Sequence, residues 1–214
     1  MIYVELRFPI IVASLARDYN QVIFRAISRA VPEARQANWL QVGVRSIEQP
    51  CGWFRSVPQA ELRMRLPQTR LSLMLKLAGT QISAGQSGMR IGSPEISLIR
   101  PAANLYARCV AIRGCFEREE FLDRVACRLD ETGIAGEIDI GPRRRFRAGS
   151  RVVIGFALKI YDLSEDGSLA LQEEGMGSFR HRGCGYFEPI RGRETFYDTC
   201  SGCLNIPTGE MHAR

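Results

Sequence analysis

The sequence predicts an α+β protein built from two successive β-α-β-β-α-β units. Several short segments alternate apolar and polar residues, which is the period of a half-buried strand, and others repeat apolar residues at helical spacing. The two kinds of segment follow one another in the same order twice along the 214 residues. This order is typical of the ferredoxin-like fold, which RNA-recognition (RRM-like) domains share.

The first unit is predicted over residues 1–102. Its helix is expected to begin at Asp18 and to end before Pro32, and its second helix to end at Gly79. The predicted elements are strand 1–8, helix 19–30, strands 40–47 and 61–66, helix 71–78, and strand segments 81–83 and 89–98.

The second unit is predicted over residues 103–190, and the order of the tail at 191–214 is left open. Its last helix is expected to be capped by Asp166 or Ser168. The predicted elements are strand 106–113, helix 121–129, strands 137–140 and 152–161, a helix from about 168, and strand 185–190. No residue-level repeat relates the two units, so only the pattern is duplicated.

The composition favours an anionic partner. The net charge is +6, and 27 of the 29 basic residues are arginine, because the only lysines are Lys76 and Lys159. Arginine pairs bidentately with phosphate and stacks on bases. A GC-rich genome also raises the arginine content, so the composition leaves both explanations open.

The cysteines and the N-terminus predict a reduced, cytoplasmic protein without a metal or cofactor. The longest early apolar run, at 8–16, is far shorter than the about 20 residues of a spanning helix. Seven cysteines without a secretory context indicate free thiols. Cys200, Cys203 and His212 supply only three ligands, whereas a structural zinc site takes four.

A glycine-rich basic segment lies between Ser168 and Pro189. Glycines bracket a run of three basic residues, and glycine permits a positive φ and a close backbone approach. Such a loop suits a nucleic-acid backbone. The predicted RNA contacts are Gly175, Gly177, Arg180, Arg182, Gly183 and Gly185.

A second basic cluster consists of Arg143, Arg144, Arg145 and Arg147 around Phe146. It is predicted at the tip of a hairpin, between Pro142 and Gly149. Four arginines with one aromatic ring can grip phosphates and stack on a base. The alternative is a solvated, charged turn.

The glycine-rich segment resembles the C-terminal loop of the CRISPR repeat-processing endoribonucleases, and in particular of their short MYXAN-subtype members. The likeness extends upstream to 161–164, 154–156 and 105–108 and, more weakly, to 26–33, so that it spans the chain to about position 190. The matching residues of the loop are Ser168, Leu169, Leu171, Gln172, Gly175, Gly177, Arg180, Gly183, Cys184, Gly185, Phe187 and Pro189.

The resemblance implies a metal-independent endoribonuclease with the same tandem fold. Such an enzyme binds the repeat hairpin of a CRISPR precursor transcript, cleaves it by attack of the 2′-hydroxyl and releases a mature guide RNA. It is also expected to stay bound as a subunit of a multi-subunit effector complex. The alternative is a subunit of that complex that binds the hairpin without cutting it. An unrelated metabolic enzyme of this fold would need a cofactor or an acidic catalytic cluster.

The sequence offers several candidate catalytic residues. Related sequences often carry a histidine shortly after the first helix, where this chain has Arg35, and an arginine stays protonated at neutral pH. Either His181 performs the acid–base step, or arginines act by positioning alone, or the chain only binds RNA. Ser28 is a candidate proton donor, and Arg29 is a candidate RNA contact. Trp39 is predicted to lie in the core.

Overall fold

A computed structural model describes residues 1–12, 14–15, 20–46, 54–55, 60–84, 87–148 and 150–196. The helices and strands of this part are, in order, β1 Tyr3–Val12, β2 Ser14–Leu15, α1 Asn20–Ala30, β3 Gln41–Ser46, β4 Phe54–Arg55, β5 Ala60–Pro67, α2 Leu71–Leu75, β6 Gln81–Ala84, β7 Ser87–Ile91, β8 Glu95–Leu98, β9 Leu105–Val110, α3 Arg118–Glu131, β10 Glu137–Ala148, β11 Arg151–Tyr161, α4 Glu165–Glu174 and β12 Phe187–Pro189. Short 3₁₀ helices occupy Pro32–Gln36, Gln68–Arg70 and Arg180–Arg182. The α+β class is therefore confirmed.

The N-terminal half forms an antiparallel sheet in the order β3-β5-β1, and β8 and β7 then pair with successive parts of β1. Alternate residues of β1 and β5, such as Leu6 and Met64, are fully buried in one core together with Ile27 of α1. The prediction of one strand over 89–98 is wrong, because the chain leaves the sheet between β7 and β8. Gly92 sits there against Pro9 and donates a hydrogen bond to its carbonyl (2.8 Å).

The C-terminal half forms a second antiparallel sheet in the order β10-β11-β9-β12. Its core joins Phe121 of α3 and Leu171 of α4 to Leu105, Phe156 and other alternate residues of the central strands. In each sheet the first and third strands of the β-α-β-β-α-β unit lie in the centre: β1 and β5 in the first sheet, and β9 and β11 in the second. This is the strand order of the ferredoxin-like fold. The chain passes from the first sheet to the second between Leu98 and Leu105.

Two details of the second half differ from the sequence prediction. Helix α4 is capped by Ser164, whose hydroxyl accepts a hydrogen bond from the amide of Gly167 (3.1 Å). The predicted caps, Asp166 and Ser168, lie inside the helix, and the hydroxyl of Ser168 instead accepts from the amide of Ala102 (2.9 Å). The hairpin is also longer than predicted, because β10 continues through the arginine cluster to Ala148.

A buried polar network connects the two halves. Arg65 is 1% exposed; its Nε donates to Oε2 of Glu5 (2.9 Å), and its Nη1 donates to the carbonyl of Phe187 (2.6 Å). The hydroxyl of Tyr186 donates to the same Oε2 of Glu5 (2.9 Å), and the guanidinium of Arg65 lies 4.4 Å from the Tyr186 ring centre. Gln41 donates to the carbonyl of Gln172 at the end of α4 (3.2 Å). The relative position of the two sheets therefore depends on polar groups.

The first part of the tail lies on the face of the second sheet opposite its helices. The hydroxyl of Tyr161 donates to the carbonyl of Glu194 (2.6 Å), and the amide of Phe196 donates to Oδ2 of Asp139 (3.0 Å). The ammonium of Lys159 lies 4.3 Å from the centre of the Phe196 ring. The three potential metal ligands Cys200, Cys203 and His212 lie outside the described residues. No helix in the described part of the chain has the length and apolar composition to cross a bilayer.

Candidate nucleic-acid interface

Helix α1 is the platform of the candidate site. Its apolar residues Ile23, Ala26 and Ile27 are buried in the N-terminal core, whereas Arg25 and Arg29 are exposed. Residues of α1 lie within 8 Å (Cα to Cα) of the 3₁₀ helix Arg180–Arg182 and of β10. Helix α1 therefore lies beside the glycine-rich loop and beside the strand that carries the arginine cluster.

The predicted proton donor on α1, Ser28, lies inside the protein. It is 3% exposed, and its hydroxyl has no hydrogen-bond partner among the described residues. A side chain at this depth has no direct path to an RNA strand on the surface. We therefore assign Ser28 to the packing of α1 and leave it out of the proposed chemistry. Arg29, one residue later, faces solvent in the last turn.

The glycines hold the loop by letting its backbone pack closely. Gly175, Gly177, Gly183 and Gly185 all have positive φ, between 64° and 88°. A Cβ at Gly185 would stand 2.0 Å from the carbonyl oxygen of Met176, and the amide of Gly185 donates to the carbonyl of Cys109 (2.7 Å). These contacts are with the protein itself. The glycines therefore shape the loop, and its half-buried basic residues Arg180, His181 and Arg182 are left to meet a ligand.

His181 sits in the 3₁₀ helix that this loop forms. The helix is bounded by two residues in the left-handed region, Phe179 and Gly183. The His181 ring packs against Phe24 of α1, with ring centres 5.2 Å apart, and its Nε2 accepts a hydrogen bond from Nε of Arg182 (3.3 Å). Burial and then the charges of Arg182 and Arg180 lower the pKa of His181 to about 4. The imidazole is therefore uncharged at neutral pH.

Two guanidinium groups meet beside this imidazole. Arg182 stacks on Phe24, with its Cζ 3.8 Å from the ring centre. Burial and repulsion from Arg25 lower the pKa of Arg182. Because repulsion between two nearby cations is relieved by an anion, this part of the surface favours a bound phosphate. Neither Arg25 nor Phe24 was singled out in the sequence, and the position of Phe24 in an amphipathic helix gave no signal that distinguished it from core.

Arg35 lies on the 3₁₀ helix Pro32–Gln36, and its side chain is exposed. This helix and the 3₁₀ helix of His181 are neighbours, with Cα atoms within 8 Å. The structure thus brings the elements of the two catalytic candidates together, although they are 146 positions apart in the sequence.

The arginine cluster runs along a strand instead of forming a hairpin tip. Arg143 pairs with Phe156 in β11, and Arg145 with Ile154, so that these two share the helix-side face of the sheet. Arg143 approaches Glu117 (3.9 Å) with both side chains largely exposed. Arg144 points to the opposite face, where it hydrogen-bonds Tyr106. Arg147 pairs with Val152 further along the strand. The prediction of a single arginine cluster at the tip of the hairpin is therefore wrong, because the alternation of the strand directs its side chains to both faces of the sheet.

The interface residues Glu5, Arg65 and Tyr186 were not predicted from the sequence. The alternation of apolar and polar residues in β5 indicated that Arg65 points away from the N-terminal core. It could not show that the C-terminal half covers this polar face of the first sheet. Burial opposes the charge of Glu5, but the guanidinium of Arg65 and hydrogen bonds from Arg7 and Tyr186 outweigh it and hold the pKa of Glu5 below its ordinary value. The carboxylate is therefore retained as a charged partner inside the protein.

Comparison with known proteins agrees with this architecture. The family described as Cas6 Crispr matches residues 4–192. The CRISPR-associated endonuclease Cas6 of Myxococcus xanthus (strain DK1622) is 28% identical over 193 residues, which cover 88% of this chain and 82% of that protein.

Solved structures share the fold at low sequence identity. A CRISPR associated protein Cas6 superposes with a TM-score of 0.63 at 9% identity, covering 88% of this chain and 100% of that chain. A Cas6-related protein from Pyrococcus furiosus gives 0.59 at 13% identity, with 90% and 99% covered. Thermus thermophilus Cse3, bound to an RNA representing a pre-cleavage complex, gives 0.53 at 12% identity, with 89% and 100% covered. On the match over 4–192, this chain belongs to the Cas6 family.

Proposed function

We propose that this chain is a metal-independent endoribonuclease that binds the repeat hairpin of a CRISPR precursor transcript and cuts it at the base of the hairpin. Family membership and the relative named an endonuclease support the activity. The observation that carries the proposal is local: His181 is uncharged and lies between Arg180 and Arg182, beside the helix of Arg35. An acid–base group surrounded by phosphate-binding cations is what this cleavage requires.

The proposed reaction is an internal transesterification. The 2′-hydroxyl loses its proton to His181, and the 2′-oxygen attacks the adjacent phosphorus. The bond from phosphorus to the 5′-oxygen breaks, which leaves a 2′,3′-cyclic phosphate. The departing 5′-oxygen takes up a proton from solvent water, and the imidazolium of His181 returns its proton to the solvent. Arg182 and Arg35 stabilise the charge that builds on the phosphate. Arg29, Arg143, Arg145 and Arg180 contact the RNA backbone further from the cut.

His181 can act as the base only after Arg182 turns away from it. In the free protein the lone pair of Nε2 is directed at Nε of Arg182. A phosphate beside Arg182 competes for that guanidinium, because a charge-assisted hydrogen bond to phosphate is stronger than one to a neutral imidazole. We infer that RNA binding frees the base at the moment when the substrate arrives.

A second candidate function is a hairpin-binding subunit without nuclease activity. It is favoured by Arg35, which stands where related sequences often have a histidine, and by the engaged lone pair of His181. Under either function we propose that the protein stays on the hairpin as a subunit of an effector complex.

The test is cleavage of a labelled repeat hairpin by the full chain in excess EDTA. We expect a product that ends in a cyclic phosphate, and no cleavage of an RNA with a 2′-deoxy nucleotide at the scissile position. That RNA should bind with nearly unchanged affinity. Activity that chelation abolishes and magnesium restores would contradict the metal-free reaction. Tight binding without any cleavage would favour the second candidate.

A further inference from the structure

A cavity of about 520 Å³ lies between the two halves, next to the glycine-rich loop. Its volume is in the range of small-molecule and cofactor sites, about 300–1,000 Å³. Its walls come from the start of β1, the segment after the 3₁₀ helix Pro32–Gln36, the end of β5 with the 3₁₀ helix Gln68–Arg70, helix α3, the end of α4 and the 3₁₀ helix Arg180–Arg182. The lining residues that matter here are Tyr3, Trp39, Arg70, Arg128, Glu174 and Arg180.

Trp39 is the residue that does not fit its predicted place in the core. One side of it packs against the N-terminal core, but the ring is only half-buried and lines the cavity. The guanidinium of Arg70 lies 5.6 Å from the centre of the Trp39 ring. The indole packs against the core and has the Arg70 guanidinium over its ring, so the two side chains form a rigid aromatic and cationic surface for a flat group.

The charge of the walls selects the kind of ligand. Among the described lining residues, Arg70, Arg128 and Arg180 oppose a single carboxylate, that of Glu174. Arg128 also pairs with Glu131 on the surface of α3 (3.2 Å). Cations together with an aromatic platform suit a ligand that has both a phosphate and a planar base. Proteins that bind single-stranded nucleic acid use the same combination.

The position of the cavity connects it to the proposed cleavage site. Arg180 lines the cavity and also belongs to the 3₁₀ helix of His181, the next residue in the chain. Its guanidinium is held by the carbonyl of Glu174. On the other wall, Trp39 follows Arg35 by four residues. By contrast, the space directly beside His181 and Val42 measures only about 10 Å³, which is too small for a nucleotide.

We propose that this cavity holds one unpaired nucleotide of the RNA strand that leaves the hairpin, with its base stacked on Trp39 and its phosphate between Arg70 and Arg180. This inference rests on the proposed RNA-binding function. It adds a contact to single-stranded RNA that the hairpin itself does not make. Trp39 then allows the protein to distinguish a repeat hairpin that carries its single-stranded flank from a bare hairpin.

Fluorescence tests this contact with the cavity intact. The chain has two tryptophans, Trp39 and Trp53, so Trp53→Phe leaves Trp39 as the only indole. We expect a repeat hairpin with a single-stranded flank on the relevant side to quench this emission, and the bare hairpin to leave it unchanged. Flanks on the 5′ and 3′ sides are compared separately. Equal quenching by bare and flanked hairpins would overturn the proposal.

Affinity measurements on the natural sequence complete the test. An abasic substitution at one flank position should weaken binding about 10-fold, which is the order of one stacked base. Trp39→Leu and Arg70→Gln should remove that advantage of the flank and leave bare-hairpin affinity unchanged. Arg124→Gln, on α3 but outside the cavity, is the matched control. If no abasic substitution changes the affinity while the bare hairpin still binds, the nucleotide site is refuted and the proposed RNA-binding function is retained. If neither RNA binds, the proposed function fails with it.

Discussion

Nε of Arg182 donates a hydrogen bond to Nε2 of His181 over 3.3 Å, so that the free protein keeps its candidate base engaged by a cation. The same guanidinium stacks on Phe24, against which the imidazole also packs. Three side chains from two halves of the chain thus fix one another. Removal of any one of these side chains takes a packing or hydrogen-bond contact away from the other two, so single substitutions can test the group.

The first prediction concerns the rate of cleavage. His181→Ala should lower the single-turnover rate by about 10²–10⁴-fold, the usual contribution of a positioned proton-transfer group. Affinity should change by less than about 10-fold, because one neutral hydrogen bond contributes only about 0.5–1.5 kcal/mol. Rate and affinity are measured on the same labelled hairpin. A rate that stays at the wild-type level would remove His181 from the reaction.

The second prediction concerns pH. The pKa of His181 is lowered to about 4 in the folded protein, so the base is neutral above that value. The acid limb of kcat/KM, which reports the free enzyme, should therefore fall near pH 4 instead of near 6.5. His181→Ala should lose this limb together with most of its activity. A limb centred near pH 6.5 in the wild type would contradict the assignment.

The lowered pKa of His181 also makes the free energy of unfolding depend on pH, and this dependence must be measured separately from the cleavage rate. Since the unfolded chain binds a proton at His181 more readily, stability is fully present above about pH 6.5 and falls as the pH drops toward 4. Circular dichroism at each pH gives the folded fraction by which the rates are corrected.

The third prediction separates Arg35 from His181. Arg35→Ala should lower the rate and weaken binding together, because a cation that holds the phosphate acts in both the ground state and the transition state. Arg35→Lys should restore part of both quantities. Arg35→His is the more searching variant: if position 35 is equivalent to the histidine of related sequences, the rate should rise or gain a dependence near pH 6–7. No change in any of the three variants would exclude Arg35 from the site.

The fourth prediction uses the alternation of β10. Replacing Arg143 and Arg145, which share one face, with glutamine should flatten the dependence of log affinity on log salt by roughly 0.7–0.9 for each lost phosphate contact. Arg144→Gln should have a smaller effect, because Arg144 lies on the other face and hydrogen-bonds Tyr106. Equal slopes for the double variant and the wild type would assign this strand to solvent.

The fifth prediction compares two glycines with the same backbone conformation. Gly185 and Gly133 have φ of 64° and 65°, but only at Gly185 would a Cβ meet another atom, 2.0 Å from the Met176 carbonyl oxygen. Gly133→Ala should cost about 1–2 kcal/mol of unfolding free energy through its φ alone. Gly185→Ala should cost more than that and should abolish cleavage, because the loop must shift. If urea unfolding shows that the two variants lose similar free energies of unfolding, the close contact of Gly185 with Met176 is unimportant.

The fold class and the order of the helices and strands follow from the sequence alone. Strand alternation in β1 and β5 and helical spacing in α1 are set by which residues must leave water, and this pattern is local. The basic run around His181 and its bracketing glycines were also visible, because each needs only neighbours in the chain. The resemblance to repeat-processing endoribonucleases rested on the same loop.

Contacts between distant segments become visible only in the folded protein. Arg65 has the same strand alternation as a solvent-exposed arginine, and it is buried only because Tyr186 and Glu5 close over it. Trp39 has the composition of a core residue, and it lines a cavity only because Arg180 approaches from the other half. The pairing of His181 with Phe24 joins positions 157 apart. Periodicity reports which face of an element is apolar, but it contains no information about which distant element will cover that face.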